Sequence, residues 1–290
     1  MFIIDLSISS HMIQRPRGTR DFGPEEMEVR RHHEGMMRRE AVLHGFKEIA
    51  TPIFEHTELF TLKSGPGVVE EIYAFQDKGG REICLRPELT ASVMRFFVND
   101  LATLPRPLKL FYFGQCFRYE RPQAGRYREF FQFGAEIIGN PTPETDAEAI
   151  GLAAAILERT GLKDYRIRIG HIGILKEMLA AAGVSGDAAL PILQKLDKKA
   201  YAEAEGLMAQ AGVDARAAEE IISTTNIIGP VSVLGSREGP ASDYIRQVCE
   251  MLLAMGFSNV SVDLGVVRGL AYYTGMVFEV DAPKLGAEKQ

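Results

Sequence analysis

Two stretches rich in apolar residues flank a charged turn near the middle of the chain. Leu108-Lys109-Leu110-Phe111-Tyr112-Phe113 reads as a strand, and residues 130–138 read as the strand that returns. Pro122 and Gly125 supply the turn between them. Upstream, Gly23-Pro24-Glu25-Glu26 opens a long helix with an early proline and acids in its first turn. Gly45 stops that helix, and residues 47–51 predict a short strand closed by Pro52. Residues 71–75 and 82–85 predict a hairpin around Asp77-Lys78-Gly79-Gly80, followed by a helix over 90–97. Downstream the pattern predicts a helix over 147–159, a strand over 165–169, a helix over 243–255, and strands over 260–264 and 276–280. Between about residues 184 and 240 the texture changes to Ala, Glu, Lys and Asp with three short helical patterns, 190–196, 198–210 and 214–223. This stretch reads as a helical insertion in a core made of residues 13–183 and 241–290. Residues 1–12, with their Ser9-Ser10-His11-Met12 junction, are set aside as a leader or tag.

Composition narrows the class. The chain has 290 residues, a 46% apolar fraction and a net charge of −6. It contains no apolar run long enough to span a bilayer. Cys84, Cys116 and Cys249 are widely spaced, which argues against a zinc or disulfide framework and for a cytoplasmic compartment. The six histidines show no ligand spacing, so no metal site is expected. A P-loop and a nucleophile elbow are both absent.

The chemistry gathers at the central hairpin. Arg118, Glu120, Arg121, Arg126 and Arg128 lie within it, with Tyr119, Tyr127, Phe130 and Phe131 among them. Arg118 and Glu120 share one strand parity, as do Arg126, Arg128 and Phe130. A solvated charged turn and a nucleotide-phosphate site both remain open on the residues alone. Gln132 and Glu136 are same-face polar residues in an apolar strand, which hints at a polar pocket. In Arg86-Pro87-Glu88-Leu89-Thr90, Glu88 or Thr90 reads first as a helix cap, and otherwise as a receiver for an ammonium group. Arg268, with Tyr272 and Tyr273 among glycines, is a surface loop or a second cation.

Taken in order, these residues resemble the catalytic domain of class II aminoacyl-tRNA synthetases, and specifically the histidyl-tRNA synthetase family. The long helix with Gly45-Phe46-Lys47-Glu48-Ile49-Ala50-Thr51-Pro52 is similar to motif 1, which makes the dimer. Phe117-Arg118-Tyr119-Glu120 with Gly125-Arg126-Tyr127-Arg128-Glu129-Phe130-Phe131-Gln132 and Gly134-Ala135-Glu136 is similar to motif 2. Arg268-Gly269-Leu270-Ala271-Tyr272-Tyr273-Thr274-Gly275 is similar to the histidine-specific motif. The Arg15–Asp21 loop and Leu85-Arg86-Pro87-Glu88-Leu89-Thr90 fit the same family.

The resemblance implies an α+β fold with an antiparallel sheet flanked by helices and a helical insertion. It implies activation of L-histidine by ATP, with Mg²⁺, to histidyl-adenylate, then transfer to tRNA(His) by a homodimer. Arg118 and Arg268 take the catalytic roles, Arg118 at the α-phosphate and Arg268 between that phosphate and the substrate carboxylate. Glu120, Arg126, Tyr127 and Phe130 hold ATP. Glu88, Thr90 and Gln132 take the α-ammonium, while Glu136 and Tyr273 bond the imidazole and Tyr272 lines its pocket. The family's next glycine-rich segment, motif 3 and the anticodon-binding domain are missing after Gln290. A fragment that is weakly active or inactive alone is therefore expected. The alternatives are the synthetase-like regulatory subunit of ATP phosphoribosyltransferase and a regulatory domain that senses uncharged tRNA. Retention of Arg118, Gln132, Glu136 and Arg268 favours the synthetase over both.

Overall fold

The computed structural model describes residues 13–64, 66–119, 126–266 and 273–283. Glu120, Arg121, the Pro122–Gly125 turn, Arg268 and Tyr272 lie outside them. In chain order the helices are α1 (Pro24–Leu43), α2 (Glu58–Ser64), α3 (Thr90–Phe96), α4 (Pro143–Arg159) and α5 (Ile172–Ala181), then α6 (Ala189–Asp197), α7 (Tyr201–Gln210), α8 (Ala215–Thr224) and α9 (Pro240–Ala254). The strands are β1 (Lys47–Glu48), β2 (Phe54–His56), β3 (Tyr73–Gln76), β4 (Glu82–Leu85) and β5 (Leu108–Phe117). They continue with β6 (Glu129–Ile138), β7 (Arg166–His171), β8 (Ile228–Gly229), β9 (Val260–Asp263) and β10 (Met276–Asp281). Three sheets result, ordered β1-β5-β6, β2-β4-β3 and β10-β7-β9-β8. Strands β2–β4, β3–β4, β7–β10 and β8–β9 pair antiparallel, whereas β1–β5 and β7–β9 pair parallel.

The chain divides into two compact units. One takes residues up to His32 with Ala50–Ala102 and Tyr112–Gly134, and the other takes His33–Ile49, Thr103–Phe111 and everything from Ala135.

In the first unit the β3–β4 hairpin follows from its turn. Asp77 accepts backbone N–H bonds from Gly79 and Arg81 at 2.8 and 2.9 Å and an Arg81 Nε bond at 2.7 Å. Gly80 takes the left-handed φ of +77° that the turn requires. The Arg81 backbone and side-chain bonds hold the Asp77 carboxyl below its usual range. Phe60, Ile72 and Cys84 form a small core under the β2-β4-β3 sheet.

In the second unit, α4 and α9 pack on the β10-β7-β9-β8 sheet around Ile150, Ile167, Ile169, Ile245, Val248 and Val262. A second core joins α5 to α6, α7 and α8 through Leu175, Leu179, Ile192, Leu193, Met208 and Ile221. The sequence reading left α5 out, because Ile172-Gly173-Ile174-Leu175 continues the apolar run of β7 without a break. His171 supplies the break: its Nδ1 accepts the Gly173 N–H at 3.0 Å and caps the helix. Helices α4 and α9 also start earlier than expected, at Pro143 and Pro240, since proline is tolerated in the first turn. The predicted 47–51 strand shortens to Lys47–Glu48.

Helix α1 buries carboxylates rather than an apolar stripe. Glu34 and Glu40 are buried, Glu34 pairing with Arg38 at 3.4 Å and Glu40 with Arg159 at 3.0 Å. Val29, Val42 and Leu43 on the same helix are exposed.

Candidate functional site

In the first unit, the turn that leaves β4 organises the site. Arg86 is only 4% exposed. Its guanidinium donates to the carbonyls of Thr51 (2.8 Å), Pro52 (3.1 Å) and Gln115 (2.8 Å) and to the Thr51 hydroxyl (3.2 Å). The Arg86 backbone N–H donates to Ile53 O at 3.0 Å, and its carbonyl accepts from Phe117 N at 2.9 Å. A Cβ at Gly114 would lie 2.4 Å from the Arg86 Nη2, so β5 needs glycine where the guanidinium crosses it.

The next residues turn outward from that anchor. Glu88 Oε1 accepts the Ala91 N–H at 2.8 Å, so its carboxylate caps α3. Thr90 Oγ1 lies 3.3 Å from the Tyr112 hydroxyl. The Tyr112 ring in turn occupies the space above Gly134, where a Cβ would approach it to 2.4 Å. Arg118 Nε donates to Pro87 O at 3.0 Å, and its guanidinium carbon stands 5.0 Å from the Phe130 ring centroid.

Gln132 meets Cys116 across β5 and β6. The Cys116 thiol donates to Gln132 Oε1 at 3.4 Å and is fully buried. Burial pushes it up to about 11, against the pull of the Arg86 and Arg118 charges, with the Glu88 charge acting the other way. Cys116 is therefore an uncharged donor at neutral pH, set among Glu88, Arg118 and Gln132. The geometry thus brings Glu88, Thr90, Arg118, Phe130 and Gln132 into one neighbourhood. Replacing Cys116 by alanine removes the donor that orders the Gln132 amide and is expected to weaken a ligand held by that amide about three- to tenfold. Serine at 116 should restore most of the affinity. Equal calorimetric affinities for the alanine variant and wild type would refute the coupling.

The other hairpin residues separate. Arg126 and Tyr127 are exposed. Arg128 packs over the Tyr119 ring at 4.2 Å, and its N–H donates to Gly18 O at 2.8 Å. A Cβ at Gly18, which has a φ of +85°, would lie 2.8 Å from the Arg128 side chain. The Arg15–Asp21 loop is thus seated on Arg128.

Glu136 and Tyr273 belong to the second unit and are both half-buried. Beside the Tyr273 segment lies a polar cluster that no sequence pattern announced. Tyr244 OH donates to Asp146 Oδ2 at 2.7 Å, and the Tyr244 and His171 rings sit 5.3 Å apart. Ile172 N donates to Gly275 O at 3.2 Å, which ties α5 to the chain entering β10. Burial raises the Asp146 carboxyl, raises the Tyr244 hydroxyl and lowers the His171 imidazole.

A His171 pKa below its usual 6.5 has a definite sign. The native state binds fewer protons there than the unfolded chain. The corresponding stability is present above pH 6.5 and is lost as the pH falls through the lowered native value. Asp146 acts in the opposite sense, its contribution being lost as pH rises through its raised native value. Urea unfolding at pH 7.5 and at pH 5.5 should show a loss on acidification. His171→Asn, which keeps a capping side chain, should reduce that loss; an unchanged loss would assign it elsewhere.

Arg168 pins three strands of the same unit. It donates to Asp263 and Glu279 at 2.6 Å each, and to Asp281 at 2.6 and 3.2 Å. Burial pulls its pKa down, but the Asp281 and Asp263 carboxylates outweigh burial and raise it.

Residues 18–288 match the family model described as histidyl-tRNA synthetase. The chain belongs to the histidyl-tRNA synthetase family. Histidine–tRNA ligase of Methanosphaerula palustris is 47% identical over 287 residues, covering 96% of this chain and 67% of that protein. Histidine–tRNA ligase of Archaeoglobus fulgidus is 48% identical over 282 residues, covering 96% and 68%. Among solved structures, an ATP phosphoribosyltransferase regulatory subunit/histidyl-tRNA synthetase from Bacillus halodurans superposes with a TM-score of 0.82 at 27% identity. That superposition covers 96% of this chain and 74% of the other. As a member of the histidyl-tRNA synthetase family, the chain spans about two thirds of the length of these ligases. The sequence reading includes Arg86 in a motif but not its burial. Gly114, isolated in an apolar strand, was the signal that could have found it. For Cys116, nothing in its neighbours along the chain points to Gln132.

Proposed function

We propose that this chain carries histidine- and ATP-binding residues of a histidine–tRNA ligase, which forms histidyl-adenylate ahead of transfer to tRNA(His), and that the chain alone catalyses that step weakly or not at all. One observation carries the reading: Arg118 is fixed by its Nε bond to Pro87 O and stands beside the Phe130 ring. That geometry suits a cation at the α-phosphate with an aromatic ring for adenine. Glu120, Arg126 and Tyr127 complete the ATP contacts. Arg268 bridges the α-phosphate and the histidine carboxylate. Glu88, Thr90 and Gln132 receive the α-ammonium, and Glu136, Tyr272 and Tyr273 receive the imidazole. A pocket with a partner for each ring nitrogen rejects analogues that leave one unpaired.

Among the described residues no group of three or more His, Cys, Asp or Glu side chains could hold a metal. When bound, Mg²⁺ would come with ATP and offset the charge of its phosphates. Residues 184–240 form the helical insertion of this catalytic core. The exposed Val29, Val42 and Leu43 of α1, and Ile53 and Phe54 after Pro52, support a homodimer through motif 1. No helix among the described residues is long and apolar enough to cross a membrane, and a cytoplasmic site of action fits the reading.

Calorimetric titration with L-histidine and with ATP–Mg²⁺ tests this, with tRNA(His) as a third ligand. Saturable binding of histidine and ATP is expected. Binding of the phosphoribosyltransferase catalytic subunit, with no response to either small molecule, would overturn it.

A further inference from the structure

We propose that Arg86 is a positioning residue for histidine activation, holding the Thr51–Pro52 segment, β5 and the Pro87–Glu88 turn in one fixed arrangement. The proposal rests on the reading of Arg118, Glu88 and Gln132 as ligand contacts. Arg86 itself touches no substrate in that reading. Its four side-chain hydrogen bonds go to Thr51, Pro52 and Gln115, and none goes to a carboxylate. A buried guanidinium satisfied by carbonyl and hydroxyl oxygens costs more than one in an ion pair. Such an arrangement is retained where geometry matters more than net stability.

The geometry supports that use. On one side, Arg86 grips two residues before β2. On the other, it grips Gln115, the residue before Cys116, and its own carbonyl takes the N–H of Phe117, the residue after. Cys116 is therefore bracketed, and Cys116 is the donor to Gln132 Oε1. Immediately along the chain, Pro87 O receives Arg118 Nε, and Glu88 is turned to cap α3. A shift at Arg86 thus moves the α-phosphate cation, the capping carboxylate and the amide together. The fork shape is required. Lysine can reach one carbonyl as a point charge but cannot span Thr51 and Gln115 at once.

The test compares wild type with Arg86→Lys, Gly114→Ala, Arg118→Ala and Leu179→Ala. Each is titrated with histidine and with ATP–Mg²⁺ by calorimetry, at a temperature where all are folded. Gly114→Ala attacks the same contact from β5, because its Cβ would meet Nη2 at 2.4 Å. It carries the test should the lysine variant not fold. Leu179→Ala, in the helical core of the second unit, loses stability without approaching the site. Arg86→Lys and Gly114→Ala are expected to weaken both ligands about tenfold to a hundredfold, with Leu179→Ala unchanged. Wild-type affinities in the Arg86 and Gly114 variants, with Arg118→Ala weakened, would overturn the positioning role alone. An Arg118→Ala variant that binds ATP as wild type does, or a wild-type protein that binds neither ligand, would overturn the underlying reading and this inference with it. Equal weakening in Leu179→Ala would reduce Arg86 to general stability and also overturn it.

Discussion

In a histidine–tRNA ligase that carries this chain together with the family's remaining motifs, Arg118→Ala is expected to slow histidyl-adenylate formation about a hundred- to a thousandfold. The carboxylate of histidine attacks the α-phosphorus while the bond to pyrophosphate breaks, and negative charge grows on the α-phosphate oxygens between them. A cation already in place pays no reorganisation cost at that moment. Arg118 is in place before ligand arrives, because Pro87 O holds its Nε at 3.0 Å. Alanine leaves the strand intact, so the loss in turnover should come on top of the weakened ATP binding that the same variant shows, and exceed it. Lysine at 118 should fall between, since it restores charge without the fork. Histidine-dependent pyrophosphate exchange, with rates taken relative to wild type, reads the effect. A change of less than about tenfold would remove Arg118 from the transition state.

Arg168→Met is expected to destabilise the second unit by about 3–5 kcal/mol, as breaking a buried ion pair does. Its guanidinium serves Asp263 on β9 and Glu279 and Asp281 on β10, and its own backbone lies on β7. Methionine fills the stem volume but abandons three carboxylates, of which Asp263 is buried and Glu279 mostly so. Each then loses its guanidinium partner while still partly shielded from water. Urea unfolding gives the loss as a shift in midpoint. Adding Asp263→Asn and Glu279→Gln to Arg168→Met should recover part of it, because the penalty lies in the abandoned charges. If the triple variant is no more stable than the single, charge is not the cause.

The parts of the fold that could be read from sequence were those set by local chemistry. The Asp77–Gly80 turn, the Pro24 and Gly45 limits of α1 and the two central strands each carry their own signal over a few residues. Helix α5 was lost because an apolar run leaves a strand and enters a helix with only His171 to mark the change. The parallel pairing of β1 with β5 was equally hidden, since two residues of strand carry no register of their own. Around the candidate site, same-face polar residues drew notice to Gln132 and the charge cluster to Arg118. The Arg86 bonds to Thr51, Pro52 and Gln115 join positions 29 to 35 residues apart, and no periodicity reports such closure. The Asp146–Tyr244 bond spans 98 residues and was invisible for the same reason.

The Tyr112 ring over Gly134 constrains the order in which these positions can change. A side chain at 134 collides with the ring at 2.4 Å, so it is admissible only after Tyr112 has become smaller. Any smaller aliphatic residue at 112 gives up the hydroxyl 3.3 Å from Thr90. The mutational path to a non-glycine 134 therefore passes through an intermediate already impaired at Thr90, and reversion at 112 is closed once 134 has changed. In a library that randomises both codons together, folded survivors should pair glycine with tyrosine and non-glycine with small residues, with few crossed combinations.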